Sequence, residues 1–324
     1  MAKSIVGLHH ITGIASDPQR NLDFYTQVLG LRFVKRTVNF DDPQTYHFYF
    51  GDDVGTPGTI LTFFPWPEMA RGRRGVGETI STVFSIPAGS MEFWTRRVSS
   101  KAIIFANNVH FGLTHLTFTD PDGMVLELVE QTEIYAIKAP RYSDVPAEHA
   151  IQGFFGAALL ENSLTRTEPL LAVMGYRKVA EEGDRFRYAP EGDARGRFLD
   201  IVVDSDARPG HMGAGTVHHI AFRANDDSAQ LEWQQELRKH VSVTSVQDRT
   251  YFHSIYFREP GGVLFEIATD APGFLIDERV EVLGEALQIP YWYEPQRSLI
   301  ESHVQPITLQ KAATRSVEPC EVAP

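Results

Sequence analysis

The side chains best able to do chemistry lie in two repeated segments. Leu8-His9-His10-Ile11-Thr12 near the start returns as Val217-His218-His219-Ile220-Ala221, and Pro121-Asp122-Gly123-Met124-Val125-Leu126-Glu127 returns as Pro260-Gly261-Gly262-Val263-Leu264-Phe265-Glu266. One histidine on a strand is ordinarily a packed, hydrogen-bonded core residue. Two pairs at matching places in a repeat need a common explanation. Two imidazoles with one carboxylate are the ligand set of a non-haem Fe(II) site that keeps positions open for substrate and O2. Zn(II) accepts the same three ligands in a hydrolytic site. Strand side chains alternate faces, so one histidine of each pair is expected to point inward and its neighbour the other way. Glu266 has apolar neighbours on both sides. A carboxylate buried there needs a partner, and a metal ion is one; on an amphipathic strand it would instead face solvent.

The elements that must carry these residues repeat too. After the first histidine pair, Asp17-Pro18 supplies an N-cap and a proline at the first helical position. Leu22, Tyr25, Val28 and Leu29 follow at helical spacing, and Gly30 stops the helix. Strands are expected at Leu31–Val34, Tyr46–Phe50 and Thr59–Phe64. Residues 5–65 therefore read as β, α, β, β, β. The order recurs over 78–132, 151–204 and 215–269. The fold class is α+β, with four βαβββ modules in two pseudo-symmetric halves: 1–138 with modules one and two, and 139–302 with modules three and four. A polar tail covers 303–324. Ala139–Pro146 reads as the linker between halves. A shared site requires modules one and four to face each other. Modules two and three bring no histidine in their first strands, so Glu127 is expected to be a surface carboxylate.

The bulk properties exclude several classes. The formal charge is −12, which repels nucleic-acid phosphates and anionic lipid. Arg71-Gly72-Arg73-Arg74 is the one basic cluster and reads as a solvated loop. Cys320 is the single cysteine, so no internal disulfide forms and no CxxC metal site exists. The first residues lack a signal-peptide run and no apolar stretch is long enough to span a bilayer, so no membrane partner and a cytoplasmic setting are expected. A homo-oligomer is allowed.

Leu8–Thr12, Gly55-Thr56-Pro57-Gly58, His218-His219 and Arg258–Glu266 resemble the vicinal oxygen chelate superfamily. Within it they resemble the hydroquinone-type ring-cleaving dioxygenases, the chlorohydroquinone dioxygenases and MhqO/MhqE-like proteins among them. The likeness covers nearly the whole chain, including Phe33–Arg36, Tyr46–Phe50 and Pro290–Pro295. It implies two glyoxalase/dioxygenase-type domains with cupped mixed sheets. It further implies His10, His219 and Glu266 as metal ligands for Fe(II), with Mn(II) as the alternative, and His9 and His218 as histidines behind the ligands. By local match, Arg249 and Tyr256 correspond to pocket residues. His253 stands where the chlorohydroquinone enzymes carry an acid.

The function this implies is extradiol-type insertion of O2 into a hydroquinone- or catechol-like ring. Arg249 would stabilise charge on oxygen, and Tyr256, with His218 or His253, would exchange protons with the ring hydroxyls. From the residues alone, Arg249 reads equally as the ion-pair partner of Asp248 and Tyr256 as a core aromatic. Two other functions stay open. One is a glyoxalase-like isomerase or lyase, which generally uses a fourth protein ligand that module one lacks. The other is a metal-free resistance-type binding protein.

Overall fold

In the computed structural model, the described residues are 5–132, 140–141 and 143–309. Cys320, tail residues 310–324, Ala139 and Tyr142 of the linker, and the boundary at 138/139 lie outside them.

All four modules take the βαβββ order. Module one comprises β1 (Leu8–Ala15), α1 (Pro18–Asp23), β2 (Arg32–Asn39), β3 (Asp42–Gly51) and β4 (Ile60–Pro65). Module two comprises β5 (Glu78–Pro87), α2 (Met91–Ser100), β6 (Phe105–His110), β7 (Leu113–Thr119) and β8 (Val125–Gln131). Module three comprises β9 (Phe154–Glu161), α3 (Thr167–Val173), β10 (Arg177–Glu182), β11 (Arg185–Ala189) and β12 (Phe198–Val203). Module four comprises β13 (Val217–Ala224), α4 (Asp227–Leu237), β14 (Gln247–Asp248), β15 (Phe252–Arg258) and β16 (Leu264–Pro272); α5 (Arg297–His303) follows.

The local signals work as physics requires. Asp17 accepts the Arg20 N–H at 2.8 Å and so caps α1, whose first residue is Pro18. The helix does not run on in α form through Val28. Phe24–Val28 is a π turn, with the Leu29 N–H reaching the Phe24 carbonyl, before Gly30 leaves the helix at φ +68°. Asp226 caps α4 in the same way as Asp17, accepting the Ala229 N–H.

The strands form two curled eight-stranded mixed sheets. One has the order β14-β15-β16-β13-β1-β4-β3-β2 and the other β10-β11-β12-β9-β5-β8-β7-β6. Module one therefore shares a sheet with module four, and module two with module three. Each sheet takes one module from each sequential half. The seam is antiparallel in both, β1 against β13 and β5 against β9. Alternation along β4 and β16 sends Leu61, Phe63, Phe265 and Ile267 into one continuous apolar core with Leu22, Tyr25, Trp233 and Leu237. Thr62 and Glu266 consequently lie on the opposite, concave face. The Arg71–Arg74 loop bridges through the backbones of Arg71 and Arg73 to Ala214 and His211, leaving the arginine side chains exposed. No helix among the described residues is long and apolar enough to cross a membrane.

Candidate metal centre

The two histidine pairs flank the β1–β13 seam. The pairing register runs Leu8 with Phe222 and then His10 with Ala221; it runs Thr12 with His219 and then Gly13 with Val217. His9 and His218 are thus the extra residues of two β-bulges related by local twofold symmetry. The bulges correct the expectation of simple alternation. An extra residue lets both rings of a pair turn toward the same region, and His9 Nδ1 lies 2.9 Å from His10 Nδ1, as His218 Nδ1 lies 2.8 Å from His219 Nδ1.

His10, His219 and Glu266 converge and are all buried. His10 Nε2 lies 3.2 Å from His219 Nε2, and Glu266 Oε2 lies 2.9 Å from His219 Nε2 and 3.3 Å from His10 Nε2. Separations near 3 Å are those of three ligands at right angles to one another around an ion held at about 2.1 Å. Glu266 Oε2 is fully buried yet accepts no hydrogen bond of proper geometry. The three donor atoms face one point, and a cation held there fits them.

The electrostatics agree. Burial would raise the Glu266 carboxyl, but the imidazoles of His10 and His219 outweigh it and hold the group well below the usual carboxylate range. Burial lowers His219, and it lowers His218 to about 3, so both rings are neutral and have lone pairs to give. The supports are explicit. His10 donates from Nδ1 to His9 when Nε2 faces the ion, and His9 in turn reaches the Thr269 backbone, which fixes both tautomers. The Ser254 hydroxyl donates to Glu266 Oε1; Thr12 Oγ1, 2.8 Å from His219 Nε2, shares that nitrogen's single lone pair and would give it up to a bound ion.

Above the three ligands opens a cavity of about 580 Å³. Phe40, Phe64, Trp66, Phe252 and Leu264 supply apolar walls, and His47, Tyr49, His218, Gln247, Arg249 and Tyr256 supply polar ones. Arg249 donates from Nε to the Tyr256 hydroxyl at 3.1 Å and from Nη2 to Gln247 and Asp41. Asp248, named above as the alternative partner of Arg249, instead accepts the Thr250 N–H. Burial, and after it the charge of Glu266, raises the Tyr256 hydroxyl, which stays protonated. His218 is on the wall of the cavity. His9 is 2% exposed, packed edge-on to Phe252 beneath His10, and does not reach the cavity. His253 faces away, paired with Asp227 at 2.6 Å.

The second sheet shows what distinguishes the first. It keeps both bulges, at Ile80 and Phe155, but carries Ser81 and Gly156 where His10 and His219 stand in the first. Glu127 corrects its expected solvent exposure. It is 4% exposed and bonded to His115 Nδ1 at 2.6 Å, a buried partner that no spacing rule announces. Arg187 stacks on Phe111, Phe155 and Phe198 and is paired with Asp200, filling that concavity.

Residues 7–128 and 153–267 match the profile of the Glyoxalase/Bleomycin resistance protein/Dioxygenase superfamily. This chain belongs to that superfamily. It is 48% identical to the Bacillus subtilis (strain 168) protein MhqO, named a ring-cleaving dioxygenase, over 96% of this chain and 99% of that one. It is 33% identical to the chlorohydroquinone/hydroquinone 1,2-dioxygenase of Sphingobium indicum, over 89% and 92% of the two chains. A Bacillus subtilis crystal structure described as a dioxygenase superposes with a TM-score of 0.91 at 47% identity, covering 96% of this chain and all of that one. Glyoxalase I of Zea mays, at 13% identity and a TM-score of 0.60 over 86% and 97% of the two chains, shares the fold. Within the superfamily this chain groups with the ring-cleaving dioxygenases.

Sequence reasoning missed Thr12, Ser254, His47, Tyr49 and Thr62. Each is a polar residue on the same face of a strand as a ligand or a pocket residue, a pattern that becomes visible only once the strand register is known.

Proposed function

We propose that this protein is an Fe(II)-dependent dioxygenase that opens a hydroquinone- or catechol-like ring by an extradiol-type cleavage. The observation that supports it most is the trio of convergent donor atoms at the floor of an aromatic-walled cavity. His10, His219 and Glu266 would hold Fe(II), which when bound supplies the one-electron chemistry that ground-state O2 requires. Mn(II) fits the same donors.

The chain's own residues do the rest. Phe64, Trp66 and Phe252 sandwich a flat ring and exclude water. Arg249, anchored by Gln247 and Asp41, presents a fixed positive charge to the ring oxygen that gains negative charge. Tyr256, kept protonated, exchanges a proton with a ring hydroxyl. Holding both reactants in one pocket removes much of the entropy cost of their meeting. The product is an opened-ring acid or acyl derivative.

The glyoxalase-like reading is disfavoured because Thr62, not a carboxylate, stands at the fourth-ligand position. A metal-free binding protein has no need of two imidazoles and a carboxylate converging at one point. The test is Glu266→Ala: bound iron and hydroquinone-dependent O2 uptake are both expected to disappear, and unchanged O2 consumption would refute the proposal.

A further inference from the structure

The local twofold axis along the β1–β13 seam relates module one to module four residue by residue. Thr12 pairs with Thr62 across β1 and β4, and Ala221 pairs with Glu266 across β13 and β16. Tyr49 pairs with Thr62, and Tyr256 with Glu266. Tyr49 is therefore the counterpart of Tyr256, and His47, two residues earlier, the counterpart of Ser254. In module four this trio supplies a ligand, its supporting hydroxyl and a pocket phenol. In module one, with Thr62 for Glu266, the trio is free of ligation and is joined end to end.

The hydrogen bonds make an unbroken chain. Tyr49 Oη lies 2.9 Å from His47 Nδ1, His47 Nε2 lies 2.9 Å from Thr62 Oγ1, and Thr62 Oγ1 lies 2.8 Å from Thr12 Oγ1. Tyr49 and His47 line the cavity, and Thr12 ends beside His219 Nε2. Every member is a hydroxyl or an imidazole, able both to donate and to accept, and no backbone group fixes the direction. The whole row can therefore reverse.

We propose that His47 is the turning point of a proton relay running from the cavity wall at Tyr49 to the floor of the candidate ligands at Thr12. The inference rests on the reading of the cavity as a diol site. A proton leaving a diol hydroxyl joins the Tyr49 oxygen as Tyr49 passes its own proton to His47 Nδ1. His47 then gives its Nε2 proton to Thr62, Thr62 gives its proton to Thr12, and Thr12 gives its proton to a basic oxygen near the three candidate ligands, that of hydroxide when O2 is absent and that of reduced O2 during turnover. Each group ends with the protons it began with, and no electron moves. Such a relay needs a neutral imidazole. Burial, followed by His10, His219 and Arg249, depresses His47 far below its usual value, with Glu266 opposing.

The test uses the Fe(II)-loaded protein under nitrogen with 4-nitrocatechol, whose visible spectrum changes on ionisation. In stopped flow, His47→Gln, which keeps an amide to bond Tyr49 and Thr62, should slow the appearance of the ionised spectrum by about 100-fold. Its final amplitude, affinity and iron content should match the wild type. Added imidazole should restore speed to His47→Ala. A rate within twofold of wild type in His47→Gln, a loss of amplitude or iron without a loss of rate, or a wild-type protein that never ionises nitrocatechol would overturn the relay. Rapid ionisation by a wild-type protein that takes up no O2 with any diol would defeat ring cleavage and leave the assignment of His47 standing.

Discussion

Thr62 of module one and Glu266 of module four occupy the same position on either side of the local twofold axis, one hydroxyl and one carboxylate facing the same centre. On the proposed function, the difference would leave one face of a bound ion to small molecules. Thr62→Glu should complete a four-ligand shell, keep or raise bound metal, and lower diol-dependent O2 uptake by about tenfold or more. Metal content by elemental analysis and an oxygen electrode read the two effects separately.

His9 touches no cavity, yet its Nδ1 lies 2.9 Å from His10 Nδ1 and would accept that ring's proton when His10 Nε2 faces an ion. His9→Leu keeps the bulk and removes the acceptor. Metal affinity should fall about 10- to 100-fold with secondary structure unchanged, measured by competition with a coloured chelator and by circular dichroism. Unaltered affinity would mean that the bulge, not the hydrogen bond, sets the ring.

Tyr256→Phe should leave iron content intact and lower kcat by about 100-fold, because it removes the hydroxyl that exchanges the proton and accepts from Arg249 while sparing the three candidate ligands. Arg249→Lys should act in the same direction. A lysine cannot reach Gln247, Asp41 and Tyr256 together as the guanidinium does. Steady-state O2 uptake on iron-matched samples decides both.

Away from the metal centre, Glu161 is fully buried and neither carboxyl oxygen accepts a hydrogen bond. Its neighbour Glu259 accepts three, from Thr167, Gly261 and Val263. Burial and then the charge of Glu259 push Glu161 up to about 8 from an ordinary 4.5, so it is protonated at neutral pH and donates to Glu259. The folded state thus holds a proton that the unfolded chain has released. Stability from this source is full below about 4.5 and is lost as pH rises toward and through 8, at up to about 1.4 kcal/mol per pH unit. Urea midpoints at pH 5, 7 and 9 should fall in that order for the wild type and much less for Glu161→Gln. Parallel slopes in the two proteins would rule the pair out as the cause.

Much of this was legible in the chain. The repeated His-His and Pro-to-Glu segments disclosed the modules, because strand-turn chemistry leaves the same marks each time. The resemblance carried the choice of His10 and His219 within each pair. Three things were not legible. The bulges at His9 and His218 depend on how β1 and β13 register, which no local propensity sets. The burial of Glu127 depends on His115, twelve residues away on the neighbouring strand. The row of Tyr49, His47, Thr62 and Thr12 spans three strands, and each residue alone reads as an ordinary polar position.

Because the first and last modules share a sheet, the chain's order of synthesis matters. A ribosome must release most of the polypeptide before β1 meets β13 and β16, so on the proposed function metal capture would be a late event that reports complete folding. A protease cut between modules two and three would leave two fragments, neither owning a full ligand set. Oxygen uptake by the mixture would then vary with the concentration of both pieces, as in a split-protein reporter.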